Sequence, residues 1–246
     1  MKKLLKGIVE FRQRDLPNYR EKFAQLALGQ SPDTLFITCS DSRVAPNWFA
    51  STDPGDLFVI RNVGNLIPCC GSDGHSTADE SEAAAIEFAI LNLHVSDIIV
   101  CGHSDCGAMH ALLAGRDKLV SAPHLRAWLR HGEPSLSQEA QKRLSAQTDS
   151  SALSHANRLS QQNVLQQIEH LRSYPVIQER LSQQRLKLHG WWFELSTAGV
   201  YAFDEKTRQF ALIDQAEAER IHSRLLEKPD RLQRPSRQPD GLQANP

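Results

Sequence analysis

The sequence predicts an α/β fold: a mainly parallel β-sheet flanked by helices, with a helical arm at the N-terminus. Three observations carry this expectation. The runs TLFITC (residues 34–39), LFVI (57–60) and IIVC (98–101) are short, continuous and rich in β-branched residues, the pattern of strands covered on both faces. Segments of helical spacing alternate with them, which implies βαβ units. A chain of 246 residues, 40% hydrophobic and 23% charged, has enough apolar surface for one α/β core with appendages.

In chain order, Leu4, Ile8 and Phe11 recur at helical spacing, as do Tyr19, Phe23 and Leu26, so residues 1–30 read as an arm of two short helices broken near Pro17. The first two strands follow. Thr77 with Glu80 forms a capping box for the next helix, and Asp79, Glu80 and Glu82 place negative charge at its positive end. From 83 to 93 that helix is apolar on nearly every face, so deep burial, in a subunit interface, is expected. After the third strand, helical spacing returns at Val164, Ile168 and Leu171. A late strand pair covers 186–195 and 200–203, the second continuing past Lys206-Thr207 into 210–213. Residues 31–215 therefore form the expected α/β domain. From 227 to 246 the chain is polar and Pro-rich and reads as a flexible tail.

The net charge of -1 offers no electrostatic footprint for nucleic acid or an anionic membrane. No stretch approaches the ~20 apolar residues of a membrane span. The basic opening MKKLLKG is followed at once by Glu10, Arg12, Arg14 and Asp15, unlike a signal peptide, so a cytoplasmic location is expected. Five cysteines, an odd number, argue against a disulfide framework. Cys101 reads as a small core residue. Cys69 and Cys70 are adjacent in a polar loop and read as non-ligands, and His75 in the same loop as a solvated side chain.

Chemistry concentrates in two segments that each follow a strand: Cys39-Ser40-Asp41-Ser42-Arg43 and His103-Ser104-Asp105-Cys106-Gly107. The carboxyl ends of parallel strands line the crevice where ligands bind. Together they would deliver Cys39, His103 and Cys106 as a Cys2His set, and three protein ligands with one open position define a catalytic zinc site. Asp41 and Arg43, two apart in a turn, can form an oriented carboxylate–guanidinium fork. Such a pair has no use in a purely structural zinc site. Cys106 lies close to the start of the next helix, where the positive end favours thiolate.

The strings CSDSRVAP, GDLFVIRNVGN, AAIEFA, CGHSDCGAM and LHGWWFE, in that order between residues 30 and 193, resemble the β-carbonic anhydrase family. The resemblance implies one Zn2+ per chain on Cys39, His103 and Cys106. A zinc-bound hydroxide would hydrate CO2 to bicarbonate, with the Asp41–Arg43 dyad controlling the fourth position. It also implies a CO2 pocket made by Gln30 as amide donor and by Phe58, Val63, Phe88 and Gly107, assembled across a homodimer or higher oligomer. Phe88 stands where plant-like members carry Tyr. One branch of the family resembles an allosteric switch, with a bicarbonate pocket built on Trp, Arg and Tyr. Here those places hold Phe36, Arg61 and Phe193, which implies the plant-like, non-allosteric branch. Relatives that hydrolyse CS2 or COS use the same zinc set and form the alternative within the fold.

Overall fold

Six strands form one sheet in the order β2-β1-β3-β4-β5-β6. The computed structural model describes residues 1–78, 80–144 and 153–226. The strands are β1 (Thr34–Cys39), β2 (Leu57–Asn62), β3 (Asp97–His103), β4 (Lys187–Glu194), β5 (Gly199–Asp204) and β6 (Gln209–Leu212). The helices are α1 (Lys2–Glu10), α2 (Leu16–Leu26), α3 (Pro46–Phe49), α4 (Ser81–Glu87), α5 (Gly107–Ala114), α6 (Pro123–Trp128), α7 (Gln138–Gln141), α8 (His155–Arg172), α9 (Pro175–Ser182) and α10 (Gln215–Leu226). Strands β1 to β4 run parallel, and β5 and β6 add an antiparallel edge. The chain divides into two units, 1–212 and 213–246. In the second unit α10 begins beside Asp214, whose carboxylate accepts the Glu217 N–H, and Arg220 pairs with Glu217 one turn along. The expected tail, 227–246, lies outside the described residues.

Alternation along each strand sorts the core. Leu35, Ile37, Ile98 and Val100 face one way and pack with Ile86, Ile90, Val164, Ile168 and Leu171 from the helices. Phe36, Ile99 and Cys101 face the other way, against Phe49, Trp191 and Phe193. Cys101 is a core residue, with burial pushing its thiol up to about 12. Helix α8 lies close against β3 because Gly102 leaves room for it. A Cβ there would sit 2.7 Å from Val164 Cγ2.

Three local expectations need correction. The arm does not break at Pro17. Residues 2–26 are helical throughout, with a π turn at Phe11–Asp15 in which the Leu16 N–H bonds Phe11 O. Pro17 then falls in the first turn of α2, where its missing N–H is tolerated. The Thr77–Glu80 capping box does not form either. The Thr77 N–H and hydroxyl both donate to Cys69 O, and α4 starts at Ser81 with no side-chain cap. Asp79 lies outside the described residues. Finally, Lys206-Thr207 reverses the chain rather than extending it: Asp204 accepts both their N–H groups, and β5 and β6 pair as a hairpin.

The helix from 81 to 93 is only half buried. Ile86, Ala89, Ile90 and Leu93 enter the core, whereas Phe88 and Leu91 are 43% and 48% exposed. The face turned from the sheet packs only in part among the described residues, Phe88 against Phe58. Among the described residues no helix is long and apolar enough to cross a membrane.

Candidate metal centre

Cys39 closes β1, His103 closes β3, and Cys106 is the N-cap residue of α5. Adjacent parallel strands end at the same edge of the sheet, so the first two arrive together. The two-residue link from His103 turns the chain back, using Asp105 at φ +51°, to bring Cys106 alongside. The two Sγ atoms and a ring nitrogen of His103 all lie within 4.8 Å of one another, and all three residues are buried.

The donor set fits a zinc ion. His103 Nδ1 sits 2.8 Å from Ser104 O, a carbonyl that can only accept, so Nδ1 carries the proton and Nε2 the lone pair. That Nε2 is buried with no hydrogen-bond partner among the described residues, an orphan that a metal would satisfy. Between the thiols only one proton is readily lost. The Cys106 thiol, followed by the Gly64 N–H, holds Cys39 below the usual thiol range against the opposing effect of burial. The hydrogen-bonded Cys39 sulfur and burial hold Cys106 above it. A divalent cation between them reverses the second shift, since it stabilises both thiolates. Cys69 and Cys70 are not part of this group.

Asp41 stands beside the centre, its Oδ2 4.0 Å from His103 Nε2. Arg43 grips it with two side-chain bonds, Nε to Oδ1 at 2.9 Å and Nη2 to Oδ2 at 2.7 Å, and its own N–H adds a third. These bonds hold the Asp41 carboxyl well below the usual carboxylate range. The same guanidinium also reaches Asp105 at 3.2 Å, and His110 Nε2 lies 2.9 Å from the other oxygen of Asp105. Arg61 donates to the carbonyls of Cys39 and Asp41 and so fixes the backbone that carries the dyad.

The expected pocket residues are only partly assembled in one chain. Val63 precedes Gly64, whose N–H donates to Cys39 Sγ at 3.3 Å. Gly107 follows Cys106, and a Cβ there would meet open space. Phe58 and Phe88 form a tilted pair with centroids 5.8 Å apart. Gln30 borders a shallow pocket with Leu26, Leu28 and Gly55, and none of the three ligands lines it.

Reasoning from sequence missed Asp105, Gly64 and the helix behind them. Ser160 of α8 donates to His103 O at 2.7 Å, and Asn163 of α8 donates to Gly64 O at 3.1 Å. Asp105 could have been found, since it lies inside the second ligand segment. Ser160 and Asn163 sit far off in the chain among other polar residues, with no local signal.

The carbonic anhydrase family model matches residues 34–200. A carbonic anhydrase of Synechococcus elongatus is 39% identical over 215 residues, covering 87% of this chain and 76% of that one. One of Pseudomonas aeruginosa is 38% identical over 210 residues, covering 85% and 90%. Among solved structures, the β-carbonic anhydrase CcaA superposes with a TM-score of 0.74 at 39% identity, covering 86% of this chain and 98% of its own. A tetrameric β-carbonic anhydrase from Sordaria macrospora gives 0.66 at 28%, covering 82% and 95%. The likeness runs through the sheet and both strand ends that deliver Cys39, His103 and Cys106, and on that ground the chain belongs to the β-carbonic anhydrase family, zinc enzymes that interconvert CO2 and bicarbonate.

Proposed function

We propose that Cys39, His103 and Cys106 hold the zinc, and that Asp41, kept ionised by Arg43, is the hydrogen-bond acceptor that orients the nucleophile for CO2 hydration. The overall change is CO2 + H2O ⇌ HCO3− + H+. The observation that carries this reading is the position of Asp41, 4.0 Å from His103 Nε2 and forked by Arg43. Bound zinc supplies a Lewis acid that lowers the pKa of water from ~15.7 to ~7, so that hydroxide is available at neutral pH. Asp41 would accept a hydrogen bond from the nucleophilic hydroxyl and so aim its lone pair at CO2. Arg43 keeps Asp41 from carrying a proton of its own and holds it off the metal. Val63 and Gly107 flank the ligands, and the open space at Gly107 leaves room for a small uncharged substrate.

The remaining pocket residues, Gln30, Phe58 and Phe88, are supplied across a subunit interface, which makes the smallest active form a dimer. The exposed apolar faces of α1 and of the 81–93 helix support this. We assign the chain to the plant-like, non-allosteric branch. The place of the bicarbonate pocket is filled by rings: Phe36 meets Phe49 at 6.1 Å and Phe49 stacks on Phe193 at 4.7 Å, while Arg61 is engaged by backbone carbonyls. Five cysteines, two of them read as metal ligands and none in a disulfide, support a reducing, cytoplasmic setting.

Stopped-flow CO2 hydration on protein of measured zinc content tests the assignment. Asp41→Asn keeps the shape without the strong acceptor and should retain zinc while losing ~100-fold or more in rate. Cys39→Ser should lose most of the zinc. A near wild-type rate in Asp41→Asn would remove Asp41 from the reaction.

A further inference from the structure

We infer that Trp128 is a positioning residue for the metal centre, acting through one peptide plane on the sulfur of Cys39. The inference rests on Cys39 being a ligand. The Val63–Gly64 peptide is trans, so its C=O and N–H point in opposite directions from a rigid plane. Its N–H donates to Cys39 Sγ at 3.3 Å. Its C=O accepts from Trp128 Nε1 at 2.8 Å. Rotation of that plane breaks both bonds together, so the indole holds the N–H on the sulfur. The next carbonyl, Gly64 O, accepts from Asn163 Nδ2. The Asn163 orientation is set, because Oδ1 already accepts from Ser135 and Gln167. Both peptides flanking Gly64 are thus anchored by side chains from outside the loop.

Gly64 cannot be replaced without penalty. It sits at φ +83°, and a Cβ there would lie 2.8 Å from Ala108 Cβ. The loop therefore has a flexible residue at the point where the N–H must be aimed, and Trp128 and Asn163 supply the stiffness that glycine lacks. Trp128 is half-buried, with its ring edge-on to His131 at 5.4 Å and packed on Leu129 and its neighbours. An N–H···S bond withdraws charge from a thiolate ligand, so the tuning falls on the metal–sulfur bond.

The test uses the cobalt(II)-substituted full-length protein. Trp128→Phe removes the donor and part of the ring. Replacement of Trp128 by 3-benzothienylalanine removes the N–H and keeps the shape. Both should shift the thiolate-to-cobalt charge-transfer bands to lower energy. Both should also lose zinc to a competing chelator about tenfold more readily, at the lower end of the range for residues behind a metal ligand. Melting curves confirm that each variant is folded. Unchanged bands and zinc retention in the benzothienyl protein overturn the inference, as does a change confined to Trp128→Phe, which would mark a packing role. Cys39→Ser is the control: if it keeps the wild-type charge-transfer intensity, Cys39 is not a ligand and the inference falls with that assignment. If the bands collapse in Cys39→Ser and stay put in both Trp128 variants, only the positioning role fails.

Discussion

Helix α8 carries Gln161, Gln162, Asn163, Gln167 and His170 and buries all of them, whereas α1 carries Leu4, Leu5, Ile8 and Val9 and leaves each more than half exposed. Composition alone would assign the two helices the other way round. The difference lies in what each face meets. Buried polar groups are tolerated when they find partners, and Asn163, Gln167 and His170 of α8 find the backbone of the loops around the metal centre. Gln167 accepts from the Ile67 N–H and donates to His131 O and Asn163, and His170 Nδ1 meets Ile67 O. Among the described residues the apolar face of α1 buries none of its side chains, and a short amphipathic helix gains little stability without packing. One helix is polar because its side chains brace the loops of the site, and the other keeps an apolar face that the proposed dimer would cover.

The sharpest way to break this comparison is to make α8 as apolar as its depth suggests. Gln167→Leu nearly keeps the volume but strands the buried Ile67 N–H, at ~1–3 kcal/mol, and removes one donor each from His131 O and Asn163 Oδ1, at ~1 kcal/mol apiece. Chemical denaturation should show a loss of roughly 3 kcal/mol or more. A loss under about 1 kcal/mol would mean that the polar partners of α8 are incidental. The converse change is Leu5→Glu with Ile8→Lys, which makes the arm polar and keeps a helical charge pair. Sedimentation velocity should shift towards smaller species, while stability measured on the dissociated chain changes by no more than about 0.5 kcal/mol. Unchanged sedimentation would remove the arm from the interface.

The smallest effect concerns His170. Burial is the main cause that holds its pKa below the ordinary value of 6.5. The neighbouring Arg143 adds to the lowering, while the Ile67 carbonyl and Glu169 oppose it. The unfolded chain therefore takes up this proton first on acidification. Stability from His170 is complete above pH 6.5 and falls as the pH drops below it. His170→Gln, which can still donate to Ile67 O, should flatten the drop in melting temperature between about pH 7.5 and about pH 5.5. An identical drop in both proteins would assign the acid sensitivity elsewhere.

The legible parts of the molecule were those with a local signature. Strand cores announced themselves through β-branched runs. Cys39, His103 and Cys106 stood out because each sits where a strand or its following turn ends, and Asp41 and Arg43 were found as neighbours in one turn. The errors arose where two local signals competed. Pro17 marked a break, yet a π turn lets the helix pass it. Thr77 looked like a cap, yet its hydroxyl binds Cys69 O. What stayed hidden depends on contacts across long sequence separations. Trp128 acts 65 residues from Val63, and Asn163 acts 99 residues from Gly64, so neither reveals its partner in its own neighbourhood.

Arg43 lies between Asp41 and Asp105, so its positive charge is shared by two carboxylates and the triplet carries one net negative charge. Arg61, which donates to Asp41 O, brings a second positive charge to the same turn, so the four side chains together are neutral. On the proposed function the product is an anion, and this balanced cluster offers it no net positive charge to hold it. Without Asp105 the same cluster would be net positive and would retain an anion.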